Sequence, residues 1–175
     1  RKGFKGRITI LSAEKYPPYQ RPPLSKSYLL GGLQTAKLYL KPYQFYQDNS
    51  IDLHLGAYVE EIELESGAVK YSSGIRAAKR AFYDYLVLAT GTSPRLLAAD
   101  KGTLPKVHYL RSIDDVKYIR ESLVTAKKIV VIGGGYIGLE VAAVASQLGL
   151  QVTILEQAKR IMERVSSSLI SSYYQ

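Results

Sequence analysis

Residues 127–156 read KKIVVIGGGYIGLEVAAVASQLGLQVTILE, and this stretch decides the fold. Its apolar run at 128–132 predicts a buried strand, and the run continues directly into Gly133-Gly134-Gly135-Tyr136-Ile137-Gly138, which has the G-x-G-x-x-G spacing. Residues 136–148 then predict a helix, and residues 151–155 predict a second strand. Strand, glycine turn, helix and strand in this order predict a βαβ unit with a parallel sheet.

Each glycine of the pattern has a physical role in binding a dinucleotide. Gly133 permits the tight turn from strand to helix, Gly135 lets a pyrophosphate approach the backbone, and Gly138 lets the helix lie close to the sheet. The helix begins at Tyr136 and Ile137, and its first N–H groups with their partial positive charge of roughly +0.5 suit phosphates. These five residues are therefore predicted to bind the ADP half of a dinucleotide.

An acidic residue completes the pattern at the end of the second strand. Glu156 lies 23 residues after Gly133 (156 − 133), where a carboxylate accepts hydrogen bonds from both ribose hydroxyls. It would repel a 2′-phosphate, which favours NADH over NADPH, although Lys159 and Arg160 nearby weaken that preference. A glycine-rich turn without a ligand is the alternative. Because strand, glycines, helix, second strand and acid follow one another in this order, the sequence favours the nucleotide site.

Composition limits where any redox chemistry resides. The 175 residues are 46% hydrophobic and 22% charged, which is ordinary for a globular protein. No apolar run approaches the roughly 20 residues that span a bilayer, and the N-terminus lacks a signal-like apolar segment, so we expect a cytoplasmic protein without membrane contact. With no cysteine, the chain has no thiolate metal ligand and no Cys-pair redox centre. Redox chemistry would therefore belong to a bound cofactor.

The formal charge of +9 has two interpretations. Lysine and arginine are dispersed along the chain, which is typical of a solvated basic surface or of a docking face for an acidic protein. Nucleic-acid binding is not expected, because the 15 tyrosines lack the aromatic pattern of RNA-binding sheets. His54 and His108 are isolated, so no metal site is predicted, and the oligomeric state stays open.

The rest of the chain predicts short elements of both kinds. A buried parallel strand is expected at 85–90, ending in the turn Thr90-Gly91. The chain lacks an initiator methionine and ends within a predicted helix, so we expect a piece of a longer chain. The remaining predictions are strands at 7–12, 51–55, 57–65, 68–71 and 80–83, a helix at 26–30 capped by Ser25 and ended by Gly31-Gly32, and helices at 43–48 and 113–123, the last capped by Ser112.

Four collinear motifs carry a family resemblance over nearly the whole chain. They are PYQRPPLSK at 18–26, LVLATGTSPR at 86–95, LRSIDD at 110–115 and VIGGGYIGLEVAA at 131–143. With them the chain resembles the FAD-dependent, NADH-using reductases that supply electrons to ferredoxins or rubredoxins in bacterial oxygenase systems, within the pyridine nucleotide-disulfide oxidoreductase superfamily. The resemblance implies an α/β fold of Rossmann-like FAD- and NAD-binding domains, both incomplete, with residues 1–110 in the first and 111–175 in the second.

The resemblance also implies cofactors, a partner and an activity. NADH would reduce FAD, and electrons would then leave one at a time for an acidic ferredoxin or rubredoxin-like carrier. The absent cysteines disfavour the disulfide reductases of the superfamily. Flavoproteins similar to apoptosis-inducing factor or monodehydroascorbate reductase share these motifs but use other acceptors, and a non-catalytic module that binds NADH is a third interpretation.

Several residues take roles from this resemblance alone. Lys26 would lie near the flavin N5 edge, and Glu140 would pair with that lysine and contact the nicotinamide; these two are the candidate catalytic residues. Arg21 and Lys26 can instead be surface charges, and Glu140 a solvated helix residue. The remaining candidates are for FAD, namely Glu14 at the adenosine ribose, Arg21 along the flavin, Val59 at the adenine, Thr90 and Gly91 at the crossover between domains, and Arg111 facing the cofactor.

Overall fold

The computed structural model describes residues 3–74, 78–97 and 104–174. Its elements in chain order are β1 Ile8–Ser12, α1 Ser27–Leu30, α2 Tyr43–Asp48, β2 Ile51–Leu55, β3 Ala57–Glu63, β4 Ala68–Ser73, β5 Lys79–Phe82, α3 Ile113–Leu123, β6 Lys128–Ile132, α4 Tyr136–Gln147, β7 Gln151–Leu155 and α5 Ser168–Tyr174. The chain divides into two units, the first comprising residues 1–19 and 39–92 and the second residues 20–38 and 93–175. The mixed α/β architecture agrees with the predicted fold class.

The first unit contains two small sheets. Strands β1 and β2 pair in parallel from Ile8 against Ile51 onward, while β3, β4 and β5 form an antiparallel sheet in sequence order. The register of β3 against β4 shifts between Val59 and Glu61, which marks a bulge. Among the described residues, the buried side chains of this unit are Pro17, Tyr46, Ala57, Ala68, Val69 and Tyr71.

The predicted parallel strand at 85–90 is wrong. Residues 85–90 have no regular secondary structure and are exposed, with Tyr85 at 88% and Val87 at 83% of their full accessibility. A parallel strand needs a neighbouring strand for its backbone hydrogen bonds and covered faces for its apolar side chains. The described residues pair no strand with this segment, so its sequence preference has no tertiary support.

The second unit is built around the predicted βαβ motif. Strands β6 and β7 pair in parallel from Lys128 against Gln151 to Ile132 against Leu155, and helix α4 connects them. The prediction of a wholly buried β6 is right for one face only. Val131 is buried, whereas Val130 and Ile132 are 58% and 61% exposed within the described part of the chain.

The proline-rich segment packs into the second unit. Pro22–Ser25 forms a short 3₁₀ turn that contacts α1, α3 and α4. Leu24 and Leu29 are each 1% exposed, and burial of such side chains stabilises a fold by about 1.5–3 kcal/mol apiece. The packing fixes the backbone of this segment next to helix α4.

Ser25 does not cap the short helix that follows it. Lys26 occupies the N-cap position of α1, with no side-chain hydrogen bond there. The Ser25 hydroxyl instead donates a hydrogen bond to the Glu140 carboxylate on α4. Gly31 ends the helix with φ +92°, as predicted.

Helix α3 has a complete N-terminal cap. The Ser112 hydroxyl accepts the Asp115 N–H at 3.2 Å, and the Asp115 carboxylate accepts the Ser112 N–H at 2.7 Å. This capping box satisfies backbone donors that a helix otherwise leaves unpaired. None of the helices in the described residues has the length and apolar character needed to cross a membrane.

Candidate dinucleotide site

The turn between β6 and α4 has the geometry that its glycines predict. Gly133 adopts φ +107°, a left-handed conformation that favours glycine, and its N–H donates to the Leu155 carbonyl at 2.8 Å. A Cβ on Gly138 would lie 1.9 Å from the Gly133 carbonyl oxygen. Glycine at position 138 is therefore required for the close approach of helix and turn.

Gly135 is different, because its missing side chain leaves open space. It is the N-cap of α4 with extended backbone, and a Cβ there would meet no atom of the described residues within 4 Å. No atom of the described residues therefore blocks the approach of another group to the backbone at this position. This open cradle fits the pyrophosphate of a dinucleotide.

The N-terminus of α4 also has the features of an anion-binding helix terminus. No side chain of the described residues caps it, and its first turn carries no acidic residue, in contrast to the self-capped α3. Tyr136 and Ile137, which open the helix, are 56% and 55% exposed. Their backbone donors have no partner within the helix, so a phosphate can accept them.

Glu156 is fixed beside this turn by backbone amides. Its Oε2 accepts the Gly134 N–H at 2.7 Å, and its Oε1 accepts the Ala158 N–H at 2.8 Å. The amides of Ala158 and Gly134 hold the pKa of this exposed carboxyl below its ordinary value. The ionised carboxylate keeps acceptor capacity on both oxygens, which suits the two hydroxyls of a ribose.

Gly134 also has a structural role, which the G-x-G-x-x-G spacing does not predict. Its Cβ would lie 2.9 Å from Ile161 Cγ2 and 3.2 Å from Glu156 Oε2, and its carbonyl accepts the Met162 N–H. The absence of a side chain lets the carboxylate reach the turn. The run of three consecutive glycines was the available signal.

Arg160 is already bound within the chain. Its guanidinium donates to the Ser167 carbonyl at 3.2 Å, to the Glu163 carbonyl at 3.1 Å and to the Ser171 hydroxyl. These bonds hold the segment that leads into α5. With its guanidinium bound in this way, Arg160 offsets the preference of Glu156 for NADH less than its sequence position indicates, whereas Lys159 is exposed.

A second cluster joins the proline-rich segment to helix α4. Lys26 Nζ lies 2.7 Å from Glu140 Oε2, and the Ser25 hydroxyl donates to the same oxygen at 2.5 Å. Lys26 also donates to the Pro22 carbonyl at 3.2 Å. The structure thus brings together the two residues proposed as catalytic, and it adds Ser25, whose position before α1 predicts a helix cap.

The arginines of the second unit offer donors to an acceptor group. Arg21 Nη1 donates to the Arg111 carbonyl at 2.7 Å. Arg111 Nε is buried without a hydrogen-bond partner among the described residues. A buried unsatisfied donor costs about 1–3 kcal/mol, more when charged, so this atom fits an electronegative group such as a cofactor.

The other FAD candidates belong to the first unit. Glu14 follows β1, and its carboxylate accepts the Tyr19 hydroxyl at 2.5 Å. Val59 lies at the bulge of β3, 38% exposed, and Thr90 and Gly91 lie in the exposed irregular segment, where Gly91 has φ +70°. The roles of all these residues toward FAD stay predictions.

The glycine turn, the uncapped helix and the acid have the arrangement that is typical of dinucleotide-binding α/β proteins. Residues 1–175 match the family described as pyridine nucleotide-disulphide oxidoreductase, and the chain belongs to that family. The chain is 43% identical over 163 residues to rubredoxin-NAD(+) reductase of Pseudomonas putida, covering 93% of this chain and 41% of that protein. Against rhodocoxin reductase of Rhodococcus erythropolis the identity is 42% over 172 residues, covering 98% and 39%.

Solved structures agree with this assignment. A ferredoxin reductase from Rhodopseudomonas palustris superposes with a TM-score of 0.91 at 41% identity, over 98% of this chain and 41% of that one. The covalent complex of putidaredoxin reductase with putidaredoxin gives 0.90 at 39%, over 98% and 41%. The chain spans about two fifths of the length of these relatives.

Proposed function

We propose that the chain is part of an FAD-dependent NADH reductase that passes electrons to a small iron–sulfur protein of the ferredoxin or rubredoxin type serving an oxygenase. The observation that carries the proposal is the combination of the open Gly135 cradle with the amide-bound Glu156 carboxylate. The relatives support the acceptor class, since they are named as reductases of rubredoxin, rhodocoxin and ferredoxin. A cytoplasmic location is part of the same proposal.

The two cofactors are assigned to different parts of the chain. We assign FAD to residues 1–110 and NAD to residues 111–175. The two compact units divide the chain at other residues, because segment 20–38 packs with the NAD portion. When bound, the cofactors supply hydride transfer from the nicotinamide to the flavin and single-electron release.

The chain's own residues bind and orient rather than exchange protons with a substrate. The N-terminus of α4, with Gly133, Gly135 and Gly138, receives the pyrophosphate, and Glu156 accepts the ribose hydroxyls. Lys26 places a positive charge beside Glu140, where it can stabilise negative charge on a neighbouring group. The formal charge of +9 favours association with an acidic carrier.

Calorimetric titration of the chain with NADH, NADPH and FAD, each separately, tests the nucleotide site. We expect saturable NADH binding that is weaker for NADPH, because the 2′-phosphate meets the ionised Glu156. Glu156→Ala should abolish most NADH binding, while Glu121→Ala, which changes an exposed glutamate on α3, serves as the matched control. Equal NADH binding in both variants would contradict the assigned site.

The acceptor is tested with the FAD-loaded protein. NADH should be oxidised in the presence of an acidic ferredoxin, and the rate should fall as salt is raised because screening weakens the attraction between opposite charges. A rate of NADH oxidation that does not depend on the ferredoxin would refute this part of the proposal without contradicting the nucleotide site.

A further inference from the structure

Glu140 requires more than its lysine to hold one orientation. Its side chain is 30% exposed and that of Lys26 is 50% exposed, so solvent screens this ion pair. Solvent-exposed pairs of this kind contribute little to stability, and both side chains are long and flexible. The ion pair alone therefore leaves the carboxylate free to change rotamer.

Ser25 is a far more rigid donor. It is 4% exposed and lies in the 3₁₀ turn, where the Leu24 N–H bonds to the Arg21 carbonyl at 2.9 Å and the Lys26 N–H to the Pro23 carbonyl at 3.1 Å. Proline fixes the backbone of this turn on its N-terminal side. The position of the hydroxyl is thus set by packed backbone and one side-chain torsion.

The contact is a hydrogen bond from a hydroxyl to a carboxylate oxygen. The Ser25 hydroxyl donates to Glu140 Oε2 at 2.5 Å, within the range for O–H donors on an ionised carboxylate. Lys26 Nζ uses the same oxygen at 2.7 Å. Neither donor uses Oε1, so that oxygen can accept from a third group, such as the carboxamide N–H of a nicotinamide.

We propose that Ser25 is a positioning residue that holds the Glu140 carboxylate in one orientation beside Lys26, a role that rests on the proposed NADH site. It acts through Glu140 rather than by touching a reacting atom. Sequence spacing gives no sign of this contact, because residues 25 and 140 lie on different elements that meet only in the folded second unit.

The electrostatics of the cluster agree with this geometry. Burial raises the pKa of Glu140, but the hydrogen bonds from Lys26 and then from Ser25, together with the Lys26 charge, bring the pKa below its ordinary value. Removing the serine donor should therefore move the pKa of Glu140 upward. A hydroxyl that merely fills space would leave this pKa unchanged.

The test follows the Glu140 carboxyl by carbon-13 NMR during a pH titration of the 175-residue chain, with the signal assigned through Glu140→Gln. Ser25→Ala should raise the titration midpoint, and Ser25→Thr, which keeps a hydroxyl, should restore it. Ser27→Ala is the matched control, since it removes an exposed hydroxyl two residues away. Ser25→Cys, whose side chain is close in size but a weak donor, should raise the titration midpoint of Glu140 as well. This variant tests the Ser25 hydrogen bond if Ser25→Ala does not fold.

NADH titration of the same variants separates the two proposals. Ser25→Ala should weaken NADH binding about three- to tenfold, the effect of one ordinary net hydrogen bond, because the loss reaches NADH only through the orientation of Glu140. An unchanged Glu140 midpoint in Ser25→Ala and Ser25→Cys, with normal NADH binding by the wild-type chain, would overturn the Ser25 proposal alone. If the Glu140 midpoint rises in the Ser25 variants but the wild-type chain binds no NADH, the Ser25 contact is supported and the nucleotide site is rejected.

Discussion

Gly138→Ala separates the intrinsic preference of a helix from the packing that this turn imposes. Alanine is favoured over glycine inside a helix by about 1 kcal/mol, so propensity alone predicts stabilisation. The structure predicts the opposite, because the new Cβ would lie 1.9 Å from the Gly133 carbonyl oxygen and 3.3 Å from Val131 Cγ1. The neighbour at 1.9 Å is backbone and cannot rotate away.

The size of the effect follows from that contact. Ordinary van der Waals contact begins at 3.4 Å, so helix and turn must separate by about 1.5 Å (3.4 − 1.9). Overpacking of this severity costs about 3 kcal/mol, at the upper end of the usual range, and the helix preference returns about 1 kcal/mol. The net loss of about 2 kcal/mol corresponds to a fall in Tm of about 4–8 °C for a chain of this size.

Gly135→Ala is the internal comparison. Its Cβ meets no described atom within 4 Å, and φ is −82°, so we expect a Tm within about 2 °C of the wild-type value. The same methyl group occupies the space assigned to the pyrophosphate and should raise the Kd for NADH at least tenfold. Circular dichroism melts and NADH titrations measure both effects. A Gly138→Ala chain that melts at or above the wild-type temperature, or a Gly135→Ala chain that binds NADH normally, would refute the assignment of these glycines.

Two further perturbations test the cap and the acids. Ser112→Ala should lower the stability by about 1 kcal/mol and Tm by about 2–4 °C, because the Asp115 N–H loses its acceptor; an unchanged melt would show that water replaces the cap at no cost. Glu140 and Glu156 have pKa values below the ordinary 4.5, so their stabilising contribution is fully present above pH 4.5 and is lost as pH falls through the lowered values. The free energy of unfolding, measured with urea across this pH window, should fall less steeply with decreasing pH in Glu156→Gln than in the wild type. Identical slopes would contradict the amide-bound carboxylate.

The elements that the sequence predicted well are those with local causes. Helix α3 carries its cap within four residues, and the unit from β6 to β7 carries its strand, turn and helix signals in one continuous stretch. Their bounds agree with the predictions to within a residue. Short-range hydrogen bonds and periodicity suffice for such elements.

The errors involve partners that are distant in sequence. The segment 85–90 has a strand composition but no paired strand among the described residues, and the outer face of β6 carries exposed Val130 and Ile132 for the same lack of a covering layer. Ser25 matches a helix-cap signal, yet its hydroxyl bonds to Glu140, 115 residues away. A local pattern states what a residue can do, and the tertiary neighbours decide what it does.

The two helix N-termini of the second unit show how that distinction bears on function. Helices α3 and α4 both leave backbone donors unpaired at their first turn, which the general geometry of helices requires. In α3 the chain satisfies them with Ser112 and Asp115, so that terminus is complete without a ligand. In α4 the cap is Gly135, no side chain of the described residues takes the donors, and the nearby Glu156 carboxylate is bound by other amides, those of Gly134 and Ala158. The first-turn donors of α4 therefore have no side-chain acceptor among the described residues, which is the arrangement that the proposed dinucleotide site requires, and Glu156 lies beside the same turn, where the proposal places the ribose hydroxyls.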